Sequence, residues 1–226
     1  MGQVTDQPTL KPYAVEVSVL AGRDEAWIAV TQPPVLHRWF GWDYDGLDAE
    51  IRQIFVDEAT LLAPERMGWA DGSYLEVQGD DDTSVVRAVR EGDPPADPDA
   101  YDAIEEGWRA FLVQLTFLLE QRPPGRRRTL YLTGETTGRQ VLAMVDGEWR
   151  RAGSRVAWVA APGGSLVVAA ARAPLDSPDA TGMQIVVSTY GLDDAAFDTV
   201  RDEWSKRWTA VADGAQVTSG GTPGPG

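Results

Sequence analysis

The chain has 226 residues, 43% of them hydrophobic and 24% charged, enough for one large domain or two small ones with real cores. With 35 acidic against 20 basic residues its formal net charge is −15, a balance that repels phosphate backbones and argues against nucleic-acid binding. There is no cysteine, which excludes disulfides and thiol chemistry, and no apolar run approaches the roughly 18–20 residues that a membrane span needs.

The charge is unevenly placed. Residues 1–122 carry 24 Asp plus Glu against 9 Lys plus Arg, whereas residues 123–226 carry 11 against 11. All the excess negative charge belongs to the first half, so the two halves differ in surface character. The start, residues 1–12, is polar and reads as a flexible lead without the apolar segment of a secretory signal. A cytoplasmic protein is expected.

From Tyr13, the residues Tyr13, Val15, Val17 and Val19 alternate with Ala14, Glu16 and Ser18, the period of a half-buried strand. Gly22 ends it, Asp24-Glu25 opens a short helix, and Pro33-Pro34 stops that helix or starts another. An aromatic cluster follows at a turn, His37-Arg38-Trp39-Phe40-Gly41-Trp42. Residues 47–62 stay open. Leu47, Ile51, Ile54, Phe55 and Leu62 have helical spacing, yet the β-branched content of 51–56 suits a strand. Strands are predicted at 73–78 and 83–90 around the acidic turn Gly79-Asp80-Asp81-Asp82. Asp97-Pro98 has the form of an N-cap followed by proline at the first helical position. The helix it would open runs to about Arg122 on an apolar stripe of Tyr101, Ile104, Trp108, Phe111, Leu112, Leu115 and Leu119.

Residues 123–128, Pro-Pro-Gly-Arg-Arg-Arg, read as a linker. Beyond them a strand is predicted at 129–133, a short helix at 138–145, and strands at 154–160, 165–172 and 183–190. Asp193 caps a final helix carrying Phe197, Val200, Trp204, Trp208 and Val211. Residues 213–226 are rich in Gly, Ser, Thr and Pro and are expected to be disordered.

The two long helices align without gaps. Tyr101-Asp102-Ala103-Ile104-Glu105-Glu106-Gly107-Trp108 matches Phe197-Asp198-Thr199-Val200-Arg201-Asp202-Glu203-Trp204 as aromatic, Asp, any, β-branched, any, acid, any, Trp. Each helix closes a half that begins with a strand and a short helix, so a duplication is the better explanation.

The opening strand, Asp24-Glu25-Ala26-Trp27, the turn Trp39-Phe40-Gly41, the strand Thr83-Ser84-Val85-Val86 and Glu106-Gly107-Trp108 together resemble the SRPBCC (START-like, Bet v 1-like) superfamily. The branch they look like is that of the C-terminal domain of the Hsp90 ATPase activator. The resemblance implies an α+β helix-grip fold over residues 13–122, a curved antiparallel sheet wrapped around a long C-terminal helix with a cavity between them. It also implies that residues 49–56 are a strand. Residues 129–212 are read as a reduced second helix-grip-like unit, too short for the full strand count and without its own Trp-Phe-Gly turn.

His37 is the single histidine and a weak candidate for proton transfer. No Gly-x-Ser-x-Gly nucleophile motif, phosphate loop or metal-ligand spacing appears, so no cofactor and no metal are expected; Asp80-Asp81-Asp82 reads as a solvated turn. If Trp39, Phe40, Trp42, Phe55, Trp69, Tyr74, Trp108 and Phe111 line a cavity, they suit a flat or greasy ligand, although core packing explains aromatic side chains equally well. Arg87, alternating with Val85 and Val89, is the polar ligand contact if it points inward. The leading expectation is a non-catalytic module holding a hydrophobic small molecule or a partner protein. The alternatives are a polyketide aromatase/cyclase-like enzyme using His37, Arg87 or Tyr74, and a cochaperone-like stimulator of an Hsp90-type ATPase. The oligomeric state is left open.

Overall fold

A computed structural model describes residues 11–93, 95, 97–161 and 163–220. Residues 1–10 of the expected lead and 221–226 of the expected tail lie outside the described residues.

The first half opens with strand β1 (Tyr13–Val19), followed by helices α1 (Arg23–Thr31), α2 (Pro33–Leu36) and α3 (Leu47–Arg52). A π-helical turn, Gln53–Asp57, extends α3, so helical spacing decides residues 47–57 and the strand implied for 49–56 is absent, whereas Leu62, counted in that spacing, lies in the strand that follows. Leu47, Ile51 and Phe55 are buried on one side of it, which local β propensity could not reveal. Strands β2 (Thr60–Ala63), β3 (Arg66–Gly68), β4 (Ser73–Gly79) and β5 (Ser84–Arg90) complete the sheet in the order β1-β5-β4-β3-β2. Gly79 is required at the β4–β5 turn, because a Cβ there would stand 2.2 Å from the Thr83 carbonyl oxygen. Asp80 closes the same turn by accepting hydrogen bonds from the Asp82 and Thr83 backbone amides, the usual work of an Asx turn.

Helix α4 (Ala103–Gln121) starts later than Asp97-Pro98 suggests. Its cap is Asp102, whose carboxylate accepts from the amides of Ile104 and Glu105; Asp97 instead accepts from Asp99 in the preceding turn. Tyr101 and Ile104, expected on the apolar stripe, are therefore at the exposed start of the helix.

The second half repeats the order. It contains β6 (Arg127–Thr136), α5 (Gly138–Leu142), β7 (Arg150–Arg151), β8 (Val156–Ala161), β9 (Ser165–Ala171), β10 (Thr181–Tyr190), α6 (Asp194–Thr209) and β11 (Asp213–Ser219). Its sheet runs β11-β6-β10-β9-β8-β7. Removing β11 leaves an order in which β6, β10, β9, β8 and β7 take the places of β1, β5, β4, β3 and β2. The fold is thus α+β, two unequal helix-grip units in tandem, each a fully antiparallel sheet with a long closing helix.

Two expectations about this half are corrected. It does not fall short in strands, because it has six against five. The extra strand is Asp213–Ser219, expected to be disordered, which pairs with the free edge of β6. An open edge offers a row of unpaired backbone groups, and pairing with it overrides a composition that favours disorder. Arg127 and Arg128, read as linker, belong to β6.

Both closing helices turn their apolar sides to their own sheets. Leu112, Leu115, Leu118 and Leu119 of α4 pack in one core with Val15, Leu75, Val77 and Val86. Phe197, Trp204 and Trp208 of α6 pack with Leu130, Leu132, Ile185 and Val187. Helix α4 also has a second partner. Ala110, Val113 and Phe117 on its other side pack against Val156, Leu166 and Val168 of the second sheet. That sheet is therefore covered on both faces, α6 on one and α4 on the other, which is why Leu166–Ala169 of β9 are all buried. A strand buried on both faces reads as a continuous apolar run.

A candidate ligand-binding groove between the units

Six of the eight candidate aromatics, all but Trp42 and Tyr74, form one packed cluster. Phe40 lies 4.9 Å from Phe55 and 4.7 Å from Phe111 between ring centres. Trp39 meets Phe40, Phe55 meets Trp69, Trp69 meets Trp108, and Trp108 returns to Phe111. Their polar edges are turned to the backbone: Trp39 Nε1 donates to the Ala29 carbonyl at 2.9 Å and Trp69 Nε1 to that of Ile54 at 2.7 Å. These rings fill the space between sheet and helix with one another, in the edge-on and tilted geometries such rings prefer.

Three other candidates lie elsewhere. Arg87 points outward, because the inner row of β5 is Ser84, Val86, Ala88 and Arg90, all buried. It pairs with Glu16 at 2.8 Å in an outer row that runs Glu16, Arg87, Glu76, Arg66 across four strands. Tyr74 shares that outer face, with the Arg66 guanidinium 4.3 Å above its ring. His37 Nε2 stands 2.9 Å from the exposed Asp48 carboxylate. The inward arginine is Arg90, over the Tyr13 ring and near Asp71 and Asp102.

The large opening is instead between the units. A half-open groove of about 870 Å³ lies between the N-terminal half of α4 and the second sheet. Its roof is Ala103, Glu106, Gly107, Ala110 and Phe111; its floor is built from cross-strand rows of the face that looks toward α4. One row is Tyr131, Val186 and Val168; the next is Gln216, Thr133, Gln184 and Ala170. Helix α4 is seated on the sheet through Val113 and Phe117, while its start forms the roof of the groove. Gly107 widens the space, since a Cβ there would meet nothing nearer than Phe111 at 3.9 Å.

At one wall Trp42 lies face to face on Tyr131, with centres 3.9 Å apart and planes 6° from parallel. Burial pushes the Tyr131 hydroxyl up to about 12, so it stays a neutral hydrogen-bond donor at ordinary pH. Glu106 is buried, and its Oε2 has no hydrogen-bond partner among the described residues. Burial raises its pKa above the usual glutamate value, opposed by the positive charges of Arg109 and Arg155. Among the described residues no three His, Cys, Asp or Glu side chains gather as a metal cage requires, and no helix is long and apolar enough to cross a membrane.

The wall of the groove is pinned by Arg127. Its guanidinium donates to the carbonyls of Phe40 at 3.0 Å and Gly41 at 2.9 Å, to Gln114 Oε1 on α4, and to Ser188 Oγ on β10 at 3.2 Å. It is fully enclosed, and burial pulls its pKa down. Of the sequence candidates, Trp42 and Phe111 line the groove. Tyr131, Glu106 and Arg127 were missed. Only the repeat held a signal for them: two stacked units create a boundary, and polar residues on otherwise apolar elements at that boundary are candidates.

No protein-family model and no curated protein sequence matches the chain. Two solved structures align with 89% of this chain and 96% of their own. One is DynU16, a protein of the dynemicin biosynthetic locus, at 16% identity and a TM-score of 0.31. The other is the di-domain ARO/CYC BexL from the BE-7585A biosynthetic pathway, at 13% identity and a TM-score of 0.32. Similarity at this level bears on neither substrate nor activity.

Proposed function

We propose that the protein is a binding module for a flat, largely apolar small molecule, held in the groove between α4 and the second sheet rather than inside the first helix grip. The carrying observation is that the aromatics of the first grip pack on one another, whereas the groove offers about 870 Å³ beside the Trp42–Tyr131 stack. Such a volume falls within the roughly 300–1,000 Å³ of small-molecule sites, and the lining sets the apolar surface of Trp42, Phe111, Val168 and Val186 beside polar Glu106 and Gln184. Gln184 is exposed at the middle of the floor, so Gln184→Trp obstructs the groove without touching either core. Titrating planar naphthyl probes into the wild type and this variant tests the reading. Binding that the substitution abolishes supports it; binding that the substitution leaves intact refutes it.

A second reading, an enzyme akin to aromatase/cyclases, is favoured by one feature: burial raises the pKa of Glu106 in the groove, the direction that suits a carboxylate to proton transfer. Turnover of a polyketone substrate, lost in Glu106→Gln, would establish it.

A further inference from the structure

We propose that Glu106 is the polar recognition residue of the groove, accepting a hydrogen bond from a hydroxyl on the edge of a flat aromatic ligand. The inference rests on the groove being the ligand site and names the chemistry it selects.

Glu106 is only 7% exposed, lines the groove, and leaves Oε2 without a hydrogen-bond partner among the described residues. A buried acceptor left open costs about 1–3 kcal/mol, and such a cost calls for an explanation. Its two cationic neighbours do not supply the bond. Arg109 Nε is 3.5 Å from Oε2, while its Nη2 is committed to Glu105 Oε1 at 2.5 Å. Arg155 Nη1 is 3.8 Å from Oε1, while its Nη2 donates to the Asp99 carbonyl at 2.6 Å and its Nε to that of Arg172 at 3.2 Å. Lys11 is held by Glu105 at 2.9 Å. The carboxylate therefore sits in a positive field with acceptor capacity to spare.

That surrounding selects the donor. Beside Glu106 an ammonium group would meet the positive charges of Arg109 and Arg155. The other carboxylates of the lining, Glu135 and Asp213, belong to the sheet side of the groove, so a cation at this carboxylate is disfavoured. A carboxylate or sulfonate would meet Glu106 itself. A neutral hydroxyl avoids both penalties and gains a charge-assisted hydrogen bond. The Trp42–Tyr131 stack at the wall supplies the flat apolar surface for the rest of the ligand.

The test uses the full chain and two probes, 2-naphthol and its methyl ether 2-methoxynaphthalene, which differ in the donor hydrogen. The wild type is expected to bind the naphthol about tenfold more tightly, the order of one charge-assisted hydrogen bond. Glu106→Leu is expected to bind both alike. Should Glu106→Leu fail to fold, Glu106→Gln serves, with a preference reduced by about threefold or more as the charge assistance is lost. Equal affinities in the wild type, or a full preference kept in the Glu106 variants, would overturn the assignment while Gln184→Trp still blocks both probes. If neither probe binds, or both bind regardless of Gln184→Trp, the groove reading itself falls and takes the inference with it.

Discussion

Trp42, from the turn between α2 and α3, lies flat against Tyr131 of β6 in the second unit. The stack joins the two halves at the edge of the groove, so it serves both assembly and ligand contact. Stacked aromatic pairs contribute about 0.5–1.5 kcal/mol beyond the area they bury. A double-mutant cycle of Trp42→Ala and Tyr131→Ala, read by denaturant unfolding, is expected to give a coupling energy of about 1 kcal/mol. A coupling near zero would mean that the rings merely lie near each other.

Arg127 holds the same junction from within. Its removal orphans the buried Phe40 and Gly41 carbonyls and leaves Gln114 Oε1 only the longer bond from Ser188 Oγ at 3.4 Å. Arg127→Ala is expected to destabilise the protein by about 3 kcal/mol or more, because unmade buried hydrogen bonds cost about 1–3 kcal/mol each. Arg127→Lys recovers only part, since a single ammonium cannot reach acceptors spread around a planar fork. Urea denaturation of both variants checks the order.

The start of α4 separates a sequence reading from the structure. Asp102→Ala is expected to cost about 1 kcal/mol or more by removing the cap and a carboxylate beside buried Arg90, and Asp97→Ala within about 0.5 kcal/mol of nothing. Thermal unfolding of the two single variants decides between the two caps.

These sites show what the sequence could and could not reveal. Asp193 was legible as a cap because its helix follows at once, and it accepts from Ala196 as expected. Asp97 misled because Asp-Pro has the same local form whether or not a helix follows. On β5 the alternation was legible but its direction was not. The row of Val85, Arg87 and Val89 is as apolar on paper as the true inner row of Ser84, Val86, Ala88 and Arg90, and only the position of α4 chooses between them. Asp213–Ser219 reads as disordered because it opens a stretch rich in Gly, Ser, Thr and Pro; the partner that orders it, the edge of β6, is far away in sequence. The groove was beyond reach for the same reason, since it is formed by the second side of α4 and a sheet face that periodicity assigns simply to a buried strand.

Glu106 also makes a pH prediction. Its folded pKa is raised above the ordinary value of 4.5, so folding favours the protonated form. The stabilising contribution of that form is complete below about pH 4.5 and is lost as pH rises through the folded pKa. Relative to Glu106→Gln, the wild type is expected to gain stability as pH is lowered from neutrality toward 4.5. Guanidinium unfolding of both proteins across this range checks the sign; a difference that stays constant with pH contradicts a raised pKa.

The location of the ligand is tested most directly by the indole N–H signals of the nine tryptophans in a heteronuclear NMR titration with 2-naphthol. Trp42, at the groove, is expected to shift in proportion to occupancy, while Trp39 and Trp69, bonded to backbone carbonyls inside the first unit, stay in place. Shifts at Trp39 and Trp69 with Trp42 unmoved would put the ligand inside the first helix grip and contradict the account.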